Sequence, residues 1–391
     1  MLTCLKPPFA LATVALTTVT VLLSQFVTTT SRAQQPATFE SSAGPIEVRT
    51  IARGLANPWA LAFLPDNTML VTERPGRMRI VSAEGQISPP LKDVPEVWAS
   101  GQGGLLDVIL DKSFAQNRTI YFCYAERLES GGGRTAVARA RLNDASNALD
   151  DVKVIFRQQG PPSSGNHYGC RFAQAEDGNL FVTLGEHYSH RDQAQGLNNH
   201  LGKVIRIAPD GSVPAGNPFA GRAGALPEIW SYGHRNPQSL AIHPTSGELW
   251  EIEHGPRGGD EVNLIGKGKN YGWPVIGYGI DYSGAKLHDA TARDGMEQPL
   301  KYWVPSIAPS GMAFYTGKLF PKWDGSLFTG ALAGAMLVRL TLNGSTVTSE
   351  ERLLQSMRER IRDVRQGPDC ALWLLTDSGN GRLLRVAPAA K

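Results

Sequence analysis

The amino-acid sequence predicts an all-β protein, specifically a six-bladed β-propeller with four-stranded antiparallel blades. Three observations support this fold. A turn followed by a short apolar strand recurs along the chain, glycine (42 residues) and proline (26 residues) are frequent and dispersed, and helical periodicity is nearly absent. Many short strands joined by tight turns produce such a pattern. A β-sandwich or an irregular β-solenoid is the alternative architecture.

The repeat begins with an Asp-Gly or Asp-Asn type of turn and continues into an apolar strand that often ends in an acidic residue. Copies recur roughly every 45 to 80 residues, the length of one four-stranded blade with its insertions. Five clear copies and one looser copy lie at residues 65–73, 176–184, 245–253, 323–329 and 368–377, with the looser one at 117–124. Six copies predict six blades. Only residues 350–362 could form a short helix.

The first 33 residues differ in composition from the rest. Lys6 precedes an apolar run from Phe9 to Val27, and Ser31-Arg32-Ala33 offers small residues where a signal peptidase cleaves. We expect residues 1–33 to be an export signal, 34–45 a flexible segment and 46–391 the propeller domain. A membrane anchor is the alternative, although the many threonines make the run a poor bilayer span. The mature protein is then periplasmic or secreted, with no stable membrane insertion.

Composition and motifs exclude several classes of protein. A formal net charge of +3 is too weak to argue for nucleic-acid binding. No glycine-rich phosphate loop opens a helix, and neither a nucleophile elbow nor a zinc-binding helix motif is present. Cys123, Cys170 and Cys370 remain after signal cleavage and show no metal-binding spacing. One pair could form a disulfide in an oxidising compartment, but the sequence does not say which.

Several polar residues at turns are candidates for chemistry. His167 lies in a glycine-flanked loop and is a candidate general base. Glu186 follows an apolar strand and could hold the histidine ring. Arg235 and Asn236 share one turn, and arginine grips carboxylates and oxyanions through paired donors. Each of these residues could also be an ordinary solvated side chain.

Two further segments suggest ligand binding. If residues 358–362 form a strand, Arg358, Arg360 and Arg362 share one face. Turned inward, they suit a polyanionic ligand; turned outward, they are only solvated. Residues 254–261 offer backbone carbonyls and carboxylates, oxygen ligands that suit calcium.

Taken together, these segments resemble the PQQ-dependent soluble glucose and aldose sugar dehydrogenase family, from about Gly54 to Val386. The resemblance depends on motifs in a fixed order. They are Gly-His-Arg-Asn-Pro-Gln at 233–238, His-Gly-Pro at 254–256, Asp-Glu-Val-Asn-Leu-Ile at 260–265 and Asn-Tyr-Gly-Trp-Pro at 270–274. The family is a six-bladed propeller, which agrees with the repeat count.

The resemblance implies how the site works. PQQ lies at the mouth of the channel above a calcium ion, and His167 takes the proton from the anomeric hydroxyl while hydride passes to PQQ. Arg235 stabilises charge on the quinone oxygen, with Asn236 beside it. Gln102 resembles the glutamine near the base and the substrate. Arg360 and Arg362 resemble the pair that grips the PQQ carboxylates.

The resemblance also implies the calcium ligands and shows three departures. The carbonyl oxygens of Gly255 and Pro256 resemble ligands of the catalytic calcium, and Glu261 and Tyr271 resemble contributors to a second calcium site. Glu186 stands where relatives often have aspartate. Ser306 replaces a threonine of the cofactor site. A lysine that contacts PQQ in relatives has no counterpart near residues 332–334.

The function implied is oxidation of an aldose sugar to a lactone, with electrons passed to an external acceptor. A calcium-dependent propeller lactonase is the first alternative, and it would not need Arg360 and Arg362 to face inward. A non-catalytic sugar-binding propeller is the second alternative. The preferred sugar, the acceptor and the choice between monomer and homodimer stay open.

Overall fold

Residues 36–390 are described by a computed structural model, and they form six antiparallel sheets. In the first part of the chain, the strands are β1 (Ala37–Phe39), β2 (Ile46–Leu55), β3 (Pro58–Phe63), β4 (Met69–Glu73), β5 (Arg77–Val81), β6 (Leu105–Leu110), β7 (Thr119–Arg127), β8 (Gly133–Leu142), β9 (Leu149–Arg157), β10 (Gly169–Gln174), β11 (Leu180–Leu184) and β12 (Lys203–Ile207).

The second part of the chain continues the same pattern. Its strands are β13 (Ile229–Tyr232), β14 (Pro237–Ile242), β15 (Leu249–Glu253), β16 (Asp260–Ile265), β17 (Lys301–Trp303), β18 (Pro309–Phe314), β19 (Leu327–Ala331), β20 (Met336–Asn343), β21 (Thr346–Leu353), β22 (Ile361–Gln366), β23 (Leu372–Thr376) and β24 (Gly381–Pro388). The helical segments among the described residues are the short α-helix Phe114–Asn117 and the 3-10 turns Arg191–Gln195, Pro321–Trp323 and Gln355–Met357.

Consecutive strands form the blades, and the predicted six-bladed propeller is confirmed. Strands β6–β9, β10–β13, β14–β17 and β18–β21 make four-stranded blades, whereas β3–β5 make a blade of three strands. The last blade has five, in the order β1-β2-β24-β23-β22. In it, β2 pairs with β24 from Ile46 opposite Pro388 to Leu55 opposite Gly381, so both ends of the chain close the ring in one sheet.

The first strand of each blade lies at the axis. Strands β3, β6, β10, β14, β18 and β22 each contact the first strands of the two neighbouring blades. Each repeat copy of the sequence corresponds to the second strand of its blade, and β4, β11, β15, β19 and β23 are buried along their whole length. These strands are short and mostly apolar because neighbouring blades cover both of their faces, although β4 and β15 also carry buried carboxylates.

Two local predictions differ from the structure, and one cannot be compared with it. The helix expected at 350–362 is wrong: residues 350–353 end β21, residues 361–362 begin β22, and only the three-residue 3-10 turn Gln355–Met357 lies between them. Leu354 and Arg358 flank that turn with positive φ values of 62° and 51°, which an α-helix cannot accommodate. The segment 34–45, expected to be flexible, contains β1, which pairs with β2. The export signal expected at residues 1–33 lies outside the described residues. Between residues 36 and 390, no helix is long and apolar enough to cross a bilayer.

The cysteine pairing that the sequence left open is resolved by the structure. Cys123 of β7 and Cys170 of β10 form a disulfide with their Cα atoms 6.1 Å apart, and Cys370 carries a free thiol. The bond joins two neighbouring blades, and Cys170 lies three residues after His167. It therefore anchors the loop that holds the candidate base.

Replacing both Cys123 and Cys170 by alanine should lower the free energy of unfolding by about 2–5 kcal/mol, because the crosslink restricts the unfolded chain. Chemical denaturation followed by tryptophan fluorescence measures this change. The control Cys370→Ala removes a thiol without removing a crosslink, so its midpoint should stay close to that of the wild type. Equal midpoints for the double variant and the wild type would contradict the assigned disulfide.

Candidate active site

The starts of all six axial strands meet at a cavity of about 590 Å³. Its lining takes at least one residue from the start of each of these strands or from the position just before it, among them Trp59, Leu106, Gly169, Gln238, Ala308 and Arg362. Sites in proteins of this architecture lie where the loops of several blades converge. The cavity is therefore the candidate active site.

His167 and Glu186 form a buried pair beside this cavity. The Nδ1 atom of His167 lies 2.8 Å from Oε2 of Glu186, and Tyr168 and Gly169, the next two residues, line the cavity. The backbone N–H of His167 donates to Oε1 of Gln102 at 3.0 Å. Since a carboxylate accepts hydrogen bonds, Nδ1 carries the proton and Nε2 is the basic nitrogen. The structure thus brings together three residues that the sequence identified separately.

The electrostatic surroundings keep His167 neutral. Burial lowers the pKa of His167, the positive charge of Arg235 lowers it further, and Glu186 partly offsets both effects. Burial alone would raise the pKa of Glu186, but the contact with His167, the positive charge of Arg235 and the backbone N–H of Tyr188 together outweigh it, so that this pKa lies below its usual value. A neutral imidazole oriented by an ionised carboxylate is the arrangement that a general base requires.

Arg235 is held rigidly next to this pair. Its Nη1 donates to the carbonyl oxygens of His254 (3.0 Å) and Gly255 (2.8 Å), and its guanidinium carbon lies 5.3 Å from the centre of the Trp273 ring. The backbone carbonyl of Arg235 accepts a hydrogen bond from the backbone N–H of Glu186 at 3.0 Å. The charge of Arg235 is therefore fixed relative to the base.

Asn236 connects the base loop to the axial strands. Its Oδ1 accepts hydrogen bonds from the backbone N–H of Gly169 (3.2 Å) and from Nε2 of Gln238 (3.1 Å). The Asn236 side chain lines the cavity while only 1% of the residue is exposed.

Arg360 and Arg362 both line the cavity and share one carboxylate. Each donates to Oδ2 of Asp377, at 3.1 Å and 3.2 Å respectively. The side chain of Arg360 is half exposed and that of Arg362 is 12% exposed. Burial lowers the pKa of Arg362 to about 10, so it stays charged at neutral pH. Arg358 is exposed and does not line the cavity, so only two of the three arginines face inward.

The expected ligands of the catalytic calcium lie together. Gly255 and Pro256 line a small cavity that adjoins Arg235 and also includes Glu261 and Tyr271. The carbonyl oxygen of Gly255 accepts the hydrogen bond from Arg235. The hydroxyl of Tyr271 donates to the carbonyl of Leu264 at 2.5 Å, so this hydroxyl is already satisfied.

Glu261 belongs to a buried cluster of carboxylates that the sequence reasoning largely missed. The Nδ2 atom of Asn263 donates to Glu251, Glu253 and Glu261 at 3.2–3.4 Å. Within residues 36–390, Oε1 of Glu251 and Oδ1 of Asn263 have no hydrogen-bond partner. Burial and the neighbouring carboxylates raise the pKa values of Glu251 and Glu261. This set of hard oxygen donors, two of them unsatisfied, fits a calcium ion.

Two of the residues expected to bind the cofactor, Arg235 and Ser306, do not line this cavity. Arg235 borders the small cavity of Gly255 and Pro256, whereas Ser306 contacts Asp260. The Ser306 hydroxyl lies 2.8 Å from both carboxylate oxygens of Asp260, and the backbone N–H groups of Ile307 and Ala308 donate to the same carboxylate. A buried carboxylate requires these donors. Ala308 lines the cavity instead.

Several other residues that line the cavity were not predicted from the sequence. Asp377 ends one of the repeat copies and Gln238 ends the motif at 233–238, so a sequence pattern marked both positions. No pattern in the sequence marked Arg74 or Trp59. No lysine lines the cavity among the residues that the structure describes, and the carbonyl of Leu332 accepts a hydrogen bond from Arg360 at 3.2 Å.

Comparisons with known proteins identify the family of this chain. The family model described as glucose / sorbosone dehydrogenase matches residues 55–385. Aldose sugar dehydrogenase YliI of Escherichia coli is 48% identical over 346 residues, covering 88% of this chain and 93% of the relative.

Solved structures give the same result. The apo-form crystal structure of the soluble aldose sugar dehydrogenase from Escherichia coli has a TM-score of 0.86 at 47% identity, covering 88% of this chain and 100% of that one. The PQQ-bound aldose sugar dehydrogenase from Streptomyces coelicolor has a TM-score of 0.72 at 29% identity, covering 90% and 99%. Since the family model spans nearly the whole propeller, this chain belongs to the glucose / sorbosone dehydrogenase family.

Proposed function

We propose that this protein oxidises aldose sugars at the anomeric carbon to lactones, with PQQ and calcium bound, and passes the electrons to an external acceptor. The observation that carries the proposal is a cavity with inward-facing arginines directly beside the His167–Glu186 pair. The family and the relatives named for aldose sugar oxidation support the same reaction.

The cavity suits an anionic cofactor. Arg360 and Arg362 share the single carboxylate of Asp377, and the buried Nε atom of Arg362 has no partner within the described residues. PQQ carries three carboxylates, which guanidinium groups bind through charge-assisted hydrogen bonds. Gln102, Asn236 and Gln238 add neutral amides to the lining.

His167 would act as the base. Its Nε2 atom would take the proton of the anomeric hydroxyl, and Glu186 would stabilise the imidazolium that results. When bound, PQQ would supply the quinone that accepts the hydride from the same carbon, and calcium would supply a Lewis acid. Arg235 would stabilise negative charge that develops near the base, because its guanidinium is fixed there by the carbonyls of His254 and Gly255.

Two groups of residues would hold calcium. The carbonyl oxygens of Gly255 and Pro256 would hold the ion of the active site. Glu261, with the backbone of Tyr271, would hold a second ion next to the unsatisfied oxygens of Glu251 and Asn263. Gly255, Pro256, Glu261 and Tyr271 all line the same small cavity, and Glu261 also belongs to the carboxylate cluster around Asn263.

The two alternative functions lack a comparable observation. A calcium-dependent lactonase has no need for inward-facing arginines, and a non-catalytic sugar-binding propeller has no need for an oriented, neutral histidine. The disulfide between Cys123 and Cys170 supports our further proposal that the protein is exported to an oxidising compartment, the periplasm or the medium.

Reconstitution tests the proposed function directly. The purified protein, stripped with a chelator, should reduce a redox dye with several aldoses only after both PQQ and calcium are added. Calcium-dependent lactone hydrolysis without dye reduction would favour the lactonase instead. Sugar binding without either activity would favour the non-catalytic propeller.

The pH profile tests the base. Because the pKa of His167 lies below the ordinary 6.5, kcat/KM should fall only as the pH drops below that value. Glu186→Gln removes a charge that raises this pKa, so the acid limb should move to still lower pH. The same change should reduce kcat/KM at pH 7 by about 10²-fold or more, since the imidazolium loses its counter-charge. An acid limb that moves upward would contradict the assignment.

The variant Arg362→Gln tests whether this arginine binds the cofactor. Titration calorimetry of the calcium-loaded apoprotein should show that the Kd for PQQ rises about 10- to 100-fold, the loss expected for charge-assisted hydrogen bonds. Arg358→Gln is the matched control, because it removes the same charge from an exposed position outside the cavity. Equal losses of affinity in the two variants would show that general charge, not the cavity, holds the ligand.

A further inference from the structure

A third arginine, contributed by the first blade, faces the cavity. We propose that Arg74 binds a carboxylate of the anionic cofactor. Arg74 is far from Arg360 and Arg362 in sequence, but its blade is next to theirs in the ring. This inference rests on the proposed function and adds a cofactor-binding residue to it.

The guanidinium of Arg74 is held in place but has free donors. Its Nη1 atom donates to the carbonyl oxygens of Gly101 and Gly103, the latter at 3.4 Å. Its Nε and Nη2 atoms have no hydrogen-bond partner in the described chain, and no carboxylate there lies within ion-pair distance of Arg74. The side chain lines the cavity and is only half-buried, so these donors can reach a ligand.

The glycine-rich turn at 101–104 is shaped around this arginine. Gly104 has a φ of +138°, and a Cβ atom there would lie 2.0 Å from the carbonyl oxygen of Arg74 and 2.8 Å from its Cγ. The backbone N–H of Leu105 donates to that carbonyl at 2.9 Å. Any larger residue at position 104 would displace the stem of Arg74. The turn therefore fixes Arg74 before a ligand arrives.

Backbone hydrogen bonds also connect Arg74 to the other two arginines. The N–H of Arg74 donates to the carbonyl of Asn57 (3.0 Å), and the N–H of Asn57 donates to the carbonyl of Ser378 (2.8 Å). Ser378 follows Asp377, the carboxylate that orients Arg360 and Arg362. Asn57 and Ser378 line the cavity as well. Neighbouring blades thus contribute three arginines to the lining of one cavity, and backbone hydrogen bonds join the segments that carry them.

The charges indicate what kind of ligand this arrangement takes. Arg360 and Arg362 are partly neutralised by Asp377, whereas Arg74 has no acidic partner in the described chain. Arginine forms paired hydrogen bonds with carboxylates. Three guanidinium groups therefore match a ligand with three carboxylates better than they match a neutral sugar.

A purely structural role for Arg74 predicts a different result. Gly101 and Gly103 flank Gln102, whose Oε1 atom accepts the backbone N–H of His167 at 3.0 Å. If Arg74 only positioned this turn, its loss would lower kcat and leave the affinity for the cofactor unchanged.

Titration calorimetry of the calcium-loaded apoprotein with PQQ separates the two roles. Arg74→Gln should raise the Kd about tenfold or more, and Arg74→Lys, which keeps the charge but not the paired donors, should restore part of the affinity. The matched control Arg53→Gln, at an exposed position outside the cavity, should bind as the wild type does. An unchanged Kd for Arg74→Gln overturns the proposal, even if kcat falls. Should Arg74→Gln not fold, Arg74→Met, which keeps the aliphatic stem, takes its place.

Failure of the proposed function would be recognised separately. A wild-type protein that binds PQQ but oxidises no aldose defeats the function and leaves the titration as the test of Arg74. If the wild type does not bind PQQ, benzene-1,3,5-tricarboxylate is the second probe. Binding of this probe that weakens in Arg74→Gln supports the third cation, whereas equal binding, or none by the wild type, overturns it.

Discussion

The balance of charge along the propeller axis is the constraint on which the site depends. Near the cavity, Arg171, Asp107 and Asp363 are buried and Arg365 is half-buried, and their ion pairs link strands from three blades. Buried charges persist only when they are paired and hydrogen-bonded. This group satisfies itself and needs no ligand. The arginines that line the cavity outnumber its carboxylates, and that excess charge is what an anionic cofactor would neutralise.

A structural repeat supplies much of the chemistry. In four blades, an acidic residue ends or follows the buried second strand: Glu73, Glu186, Glu253 and Asp377. Three of them orient residues of the site: Glu186 contacts His167, Asp377 accepts hydrogen bonds from Arg360 and Arg362, and Glu253 accepts the backbone N–H of Arg235 at 2.5 Å. Glu73 instead pairs with Arg77 and Arg79. Because second strands occupy equivalent places in the blades, one recurring carboxylate orients a histidine in one blade and arginines in two others. The fold and the site therefore share one sequence pattern.

The sequence predicted the blades well because the buried second strands are short, uniform and bounded by turns. It predicted the pair His167 and Glu186 through flanking motifs, and the structure places them in contact. It could not place Arg74 or Trp59, since neither lies in a distinctive pattern. The acceptors of the Arg74 side chain are 27 or more residues away in sequence, and the cations over the Trp59 ring, Arg171 and Arg362, belong to other blades. The helix predicted at 350–362 was wrong because the residue pattern does not reveal the left-handed conformations of Leu354 and Arg358, which lie between two strands. The contact of the Ser306 hydroxyl with Asp260 could not be foreseen because the two residues are 46 positions apart in sequence.

A crystal structure of the protein grown with PQQ and calcium tests the central claim most directly. We expect electron density for the cofactor in the axial cavity, with its carboxylates on the cavity arginines and its quinone end next to His167 and to an ion on the carbonyls of Gly255 and Pro256. Cofactor density at any other place, or in the cavity with its carboxylates turned towards His167, would contradict this account.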